Sequence, residues 1–181
     1  MRTPAQARKL AESLIRVGSR FGRRMAALVT DMQRPLGRSV GNALETAEAI
    51  ETLHGAGPPD LRELTITLTA HMVMLAQPGK SMTATQARLA RLLDDGSAAD
   101  VFRHMIEAQG GDAAVVDDPG RLPAASVQID VEATEAGFVR DVDARELGRV
   151  SLLLGAGRRR TDDSIDPSAG ISHLVQTGER V

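Results

Sequence analysis

The residues best suited to chemistry in this chain are three glutamates, Glu45, Glu48 and Glu51, in a stretch of helical periodicity. Their spacing of i, i+3 and i+6 runs along one side of a helix, where they read as a solvated acidic stripe. A second reading stands beside that one. Just before them lies Thr30-Asp31-Met32-Gln33-Arg34-Pro35-Leu36-Gly37-Arg38-Ser39-Val40-Gly41-Asn42. Proline fixes φ and glycine admits positive φ, so Pro35 and Gly37 force an irregular bend between an apolar run (residues 25–29) and the helix. If one glutamate faces back toward the bend, its carboxylate joins carbonyls from the turn in an all-oxygen set suited to a hard cation.

The other chemical candidates are weaker. His54, His71, His104 and His173 are far apart, with no HxxxH or HExxH spacing, and read as structural or surface residues. There is no cysteine, which removes disulfides, thiolate catalysis and cysteine-ligated zinc. Neither GxSxG nor GxxxxGK[ST] occurs. Gly155-Ala156-Gly157-Arg158 is a lone GxG with no clear strand before it, and reads as a tight turn rather than a phosphate cradle. Arg158-Arg159-Arg160 followed by Asp162-Asp163 reads as a solvated loop with local pairing.

These residues need elements to hold them. Residues 4–20 read as an amphipathic helix with Thr3 as cap, Pro4 in the first turn and Leu10, Leu14, Ile15 and Val17 on one face. Residues 25–29 read as a short buried strand. Further helices are expected over 43–53, capped by Asn42, over 61–76, buried on most of its circumference, and over 83–94. Another is expected over 97–109, capped by Ser97 and stopped by Gly110-Gly111. The character then changes. Residues 119–123 read as a linker, and residues 127–133 alternate, with Val127, Ile129, Val131 and Ala133 on one face, as a half-buried strand does. Further strands are expected at 137–139 and 171–175, with a short helix over 144–154. The expected fold is therefore α/β: a helix-rich α/β domain over residues 1–118, then a small, mostly β domain over 119–181.

Composition narrows the partners. The chain has 181 residues, enough for one large domain or two small ones, and 42% of them are hydrophobic. Three Phe, no Trp and no Tyr leave few stacking surfaces, and a formal net charge of −2 gives no polyanion-binding balance, so no nucleic-acid partner is expected. No apolar run approaches the ~20 residues that span a bilayer, and residues 1–10 have no signal-peptide core. No membrane partner is expected, and the cytoplasm is the expected compartment.

The bend and several later blocks resemble a known family. Thr30-Asp31-Met32, Pro35-Leu36-Gly37, Gly41-Asn42-Ala43-Leu44-Glu45, Glu48-Ala49-Ile50, Ala108-Gln109-Gly110-Gly111-Asp112 and Leu154-Gly155-Ala156-Gly157-Arg158 are similar, in order, to the pyrimidine-nucleoside phosphorylases, which include thymidine phosphorylase. The resemblance implies a pentosyltransferase (glycosyltransferase) activity. Phosphate attacks C1′ of a pyrimidine (deoxy)nucleoside and releases the base and a sugar 1-phosphate. It also implies a homodimer and small-molecule partners, the pyrimidine nucleoside and phosphate. Several members bind potassium, and the matching positions are the carbonyls of Leu36 and Ser39 and the carboxylate of Glu48. The family's remaining potassium ligands, its Lys-x-Ser phosphate loop, its SGRG…GGT signature and its base-gripping arginine, serine and lysine belong to an earlier segment. The resemblance therefore covers the second half of the α/β domain and most of the C-terminal domain. It implies an incomplete potassium site, no catalytic residue within this chain, and no phosphorolysis by the chain alone.

Three alternatives stand beside it. Anthranilate phosphoribosyltransferase shares an α/β domain but lacks the tail after Pro123. Residues 132–139 look like biotinyl or lipoyl carrier domains, which implies a barrel-sandwich tail, although the absence of lysine after Lys80 excludes a swinging arm. The third is a non-catalytic fragment that pairs with a complementary chain.

Overall fold

A computed structural model describes residues 3–181. Six α-helices run in order along them: α1 (Pro4–Arg20), α2 (Asn42–Leu53), α3 (Pro59–Ala76), α4 (Met82–Asp94), α5 (Ser97–Ala108) and α6 (Ala144–Leu154). Short 3-10 turns occupy Ala113–Val116 and Pro119–Arg121. The chain divides into two compact units, Met1–Asp31 with Glu63–Arg91, and Met32–Arg62 with Leu92–Val181.

Helix ends follow local chemistry. Thr3 caps α1 by accepting from the Gln6 N–H at 3.2 Å, with proline in the first turn. Asp143 caps α6 by accepting from the Arg145 and Glu146 N–H groups, and Gly155 ends it at φ 102°. Two expected caps are corrected. Asn42 is the first residue of α2, and Gly41 is its cap, with no side-chain cap bond. Ser97 likewise lies inside α5 behind Gly96. In both cases a glycine with positive φ takes the turn conformation, so the capping residue moves one position into the helix.

The expectation of strands is overturned. Among the described residues no β-strand or sheet forms; only two isolated antiparallel bridges occur, Val40 with Ile171 and Phe138 with Arg180. Residues 25–29 and 137–139 are not strands. Residues 171–175 contribute one bridge and no ladder. The mostly β barrel-sandwich over 119–181 is absent: its regular elements are a 3-10 turn and α6. The alternating residues 127–133 show why. Val127, Ile129 and Val131 are 71%, 81% and 95% exposed, so nothing covers the face the pattern marks. Alternation makes a segment compatible with a sheet, but a strand exists only when another edge satisfies its N–H and C=O groups.

The two units bury little. Among the described residues of the first, only Ala70 and Thr85 are buried; α1 buries no residue, and its Leu10, Leu14 and Val17 are about half exposed. Helix α3 is not the buried helix its composition suggests, since Met72 is exposed and Ala70 is its sole buried residue. The second unit has a small core of Ile50, Leu93, Ala99 and Val116, where α2 meets α5 and α5 meets the 3-10 turn at Ala113–Val116. That core anchors α2, and α2 carries the glutamates.

Candidate functional site

Helix α2 separates the three glutamates. Glu48 is 8% exposed, whereas Glu45 and Glu51 are exposed. Glu48 and Ile50, two positions apart, lie on opposite sides of α2, and both are buried: Ile50 in the core and Glu48 against the bend. The Arg38 N–H donates to Glu48 Oε1 at 2.8 Å. The other oxygen, Oε2, lies against Gly37, so close that a Cβ at that position would overlap it. Gly37 also has φ 73°. The backbone conformation demands glycine, and a Cβ there would in addition force the Glu48 carboxylate to move.

Two more carboxylates secure the same bend from their own helix starts. Asp60, in the first turn of α3, accepts from the Gly37 N–H at 3.0 Å. Glu45 reaches back one turn to accept from the Gly41 N–H at 3.1 Å, as the acidic half of a capping box does. Bonds of this charge-assisted kind contribute about 1.5–3 kcal/mol each when shielded from water.

Residues 171–179 close the bend from the other side. Val40 and Ile171 exchange both backbone hydrogen bonds at 2.8 Å. The Leu174 N–H donates to Arg38 O at 2.9 Å, and Gln176 Nε2 donates to Gly37 O at 2.6 Å. Arg38 Nη1 donates to Leu174 O at 3.0 Å and to Glu179 Oε2 at 3.1 Å, while Nη2 donates to Glu179 Oε1. Glu179 also accepts from the Gln176 N–H at 2.9 Å. The guanidinium of Arg38, followed by that backbone N–H, pulls the Glu179 carboxyl from 4.5 down to about 2. The same pair raises Arg38, with Asp60 and Glu48 adding to its stabilisation as a cation.

This network sorts the carbonyls of the bend. Those of Gly37, Arg38 and Val40 all accept hydrogen bonds from residues 171–176. Among the described residues, those of Leu36 and Ser39 accept none, and Glu48 Oε2 accepts none either. Two uncommitted carbonyls and one uncommitted carboxylate oxygen make a donor set of the type a hard cation takes. Four carboxylates (Glu45, Glu48, Asp60 and Glu179) bond to the bend, whose own cations are Arg34 and Arg38, so the excess of negative charge also favours a cation.

Comparison with known proteins agrees with the resemblance of the blocks. The profile of the "Glycosyl transferase family, a/b domain" matches residues 4–99, more than half of the chain. That of the "Pyrimidine nucleoside phosphorylase C-terminal domain" matches residues 138–181. The chain is 44% identical over all 181 residues to a pyrimidine-nucleoside phosphorylase of Bacillus subtilis (strain 168). The identity is 42% to the protein of that name from Staphylococcus aureus (strain bovine RF122 / ET3-1), and 41% to that from strain USA300. The chain belongs to the pyrimidine-nucleoside phosphorylase family of glycosyl transferases. It covers 42% of the length of each of these relatives. Nothing in these comparisons favours the phosphoribosyltransferase alternative.

Within this family member, the structure brings Glu48 to the bend that carries Leu36 and Ser39. It leaves the other chemical candidates in structural places. His54 Nε2 lies 3.1 Å from Val116 O, His71 Nδ1 lies 2.9 Å from Thr67 O, and His173 is on the surface. Among the described residues, no group of three or more His, Asp or Glu side chains is placed to hold a metal by side chains alone. Gly155 is a helix end, and Asp163 accepts from the Arg159 and Arg160 N–H groups, so those loops fold on themselves. Sequence reasoning missed Asp60, Arg38, Gln176 and Glu179. Asp60 had a signal: an acidic residue opening the second helix after the bend. The other three meet only because residues 171–179 return to the bend, and no short-range pattern announces that.

Proposed function

We propose that this chain forms the C-terminal part of a pyrimidine-nucleoside phosphorylase, which transfers the pentosyl group of a pyrimidine (deoxy)nucleoside to phosphate. The products are the free base and (deoxy)ribose 1-phosphate. The observation that carries this reading is the similarity along all 181 residues to proteins named for that activity. In this reading the domain boundary lies near Asp118, supported by different family profiles matching residues 4–99 and 138–181. The working assembly is a cytoplasmic homodimer, in keeping with the resemblance. Among the described residues no helix is long and apolar enough to cross a membrane.

The chain's contribution to that enzyme is the bend. Its Leu36 and Ser39 carbonyls and the Glu48 carboxylate hold a potassium ion, supported by their lack of other hydrogen-bond partners and by the surrounding negative charge. A bound cation supplies fixed positive charge; the chain's own part is to keep the bend and α2 in register. Phosphorolysis also needs donors for the phosphate dianion and for the charge that builds on the departing base. No residue of this chain is assigned to either task, so the 181-residue chain alone does not turn over.

Two measurements test the reading. Purified chain incubated with thymidine or uridine and phosphate releases no base; turnover would overturn the assignment of catalysis elsewhere. Thermal unfolding followed by far-UV circular dichroism shifts upward in KCl relative to choline chloride at equal ionic strength, and Glu48→Gln abolishes the shift. A wild-type chain indifferent to potassium would sink the cation site.

A further inference from the structure

We propose that Gln176 and Glu179, far along the chain from the bend, are positioning residues for the cation site. They do so by fixing which carbonyls remain available to a cation. The inference rests on the potassium reading above, but its residues touch none of the three ligand atoms.

Residues 35–40 carry six backbone carbonyls, and a mobile bend presents them to a cation in changing combinations. Here the combination is set from outside. Gln176 Nε2 takes Gly37 O, the Leu174 N–H takes Arg38 O, and the Ile171 N–H takes Val40 O. Successive carbonyls in an irregular turn point in different directions. With those of 37, 38 and 40 taken by residues 171–176, those of 36 and 39 are left without partners among the described residues. Glu179 does not reach a carbonyl. It binds the Arg38 guanidinium through both oxygens and the Gln176 N–H through one, so it fixes the Arg38 side chain and the Gln176 backbone together. Arg38 in turn carries the N–H that orients Glu48. One carboxylate near the end of the chain thus governs both halves of the donor set, the carbonyls through Gln176 and the carboxylate through Arg38. Partners of metal ligands commonly matter this much, because an oxygen held in place binds more tightly than one that must be ordered on binding.

The test is a KCl titration of the thermal unfolding midpoint at constant ionic strength, balanced with choline chloride. It is performed on the 181-residue chain and on Glu179→Ala, Glu179→Gln and Gln176→Ala. The KCl concentration giving half the maximal shift is expected to rise about tenfold or more in Glu179→Ala and Gln176→Ala. It should rise less in Glu179→Gln, which keeps an oxygen for Arg38. The maximal shift itself is retained, because the ligands are intact. Gln176→Ala removes no charge, and it serves if Glu179→Ala fails to fold. Titrations of all three variants that coincide with wild type, while Glu48→Gln abolishes the response, would overturn the positioning role and leave the cation site standing. No potassium-specific shift in wild type would overturn both.

Discussion

Arg38 and Glu179 are 141 residues apart in sequence and joined through both oxygens of the carboxylate. Glu179 also holds the Gln176 N–H, and Gln176 holds the Gly37 carbonyl. The last dozen residues of the chain are therefore part of the bend's architecture rather than a tail beside it.

The pH dependence of this contact follows from its sign. The Glu179 carboxyl is held at about 2 in the folded chain against an ordinary 4.5, so folding favours its ionised form. Its stabilising contribution is complete above about pH 4.5 and is lost as the pH falls toward 2. In acid unfolding followed by circular dichroism, Glu179→Gln should lose less stability than wild type across that window and should match its pH slope above it. A carbon-13 titration of the Glu179 carboxyl with a midpoint near 4.5 would contradict the contact.

Gly37→Ala is expected to be among the costliest single changes in the second unit. The left-handed backbone at φ 73° disfavours an L residue by about 1–2 kcal/mol. The added Cβ would also occupy the place of Glu48 Oε2. Urea unfolding should show a loss at or above the backbone figure alone. Amide exchange at Arg38 should accelerate, because Glu48 must move to admit the methyl group.

Two apolar residues of similar size should behave oppositely. Ile50 is 1% exposed in the small core on the side of α2 away from Glu48, and Ile50→Ala should cost about 2–5 kcal/mol. Leu14 on α1 is 56% exposed, and Leu14→Ala should change stability by no more than about 0.5 kcal/mol. Equal losses for the two in urea unfolding would mean that the face of α1 is covered.

The cap of α1 separates local from global stability. Thr3→Ala removes the bond to the Gln6 N–H and should cost about 1 kcal/mol of helix stability. Because α1 buries no residue, that cost should appear as faster amide exchange in its first turn, with little change in the unfolding midpoint of the chain.

Periodicity in the sequence sufficed to place the helices, and end signals fixed their termini except at α2 and α5, where a glycine took the cap. The spacing that puts Thr3 before Pro4, Asp143 before α6 and Gly155 after it is local, and local hydrogen bonds decide helix ends. The same local logic identified Pro35 and Gly37 as a bend and Glu48 as one of three glutamates that could meet it. It could not choose Glu48 on spacing alone, because Glu45, Glu48 and Glu51 are equivalent until the bend packs on the side of α2 opposite Ile50.

Tertiary structure alone decided the rest. Whether residues 127–133 become a strand depends on a partner edge, and an alternating pattern carries no information about whether one exists. Whether the bend is rigid depends on Asp60, Gln176 and Glu179, which are brought to it from 23, 139 and 141 residues away. The sequence by itself determined the helices, the bend and the family to which the chain belongs, because those follow from bonds and patterns between near neighbours. Which oxygens the bend leaves uncommitted is a property of long-range closure, settled only once the chain has returned to meet itself.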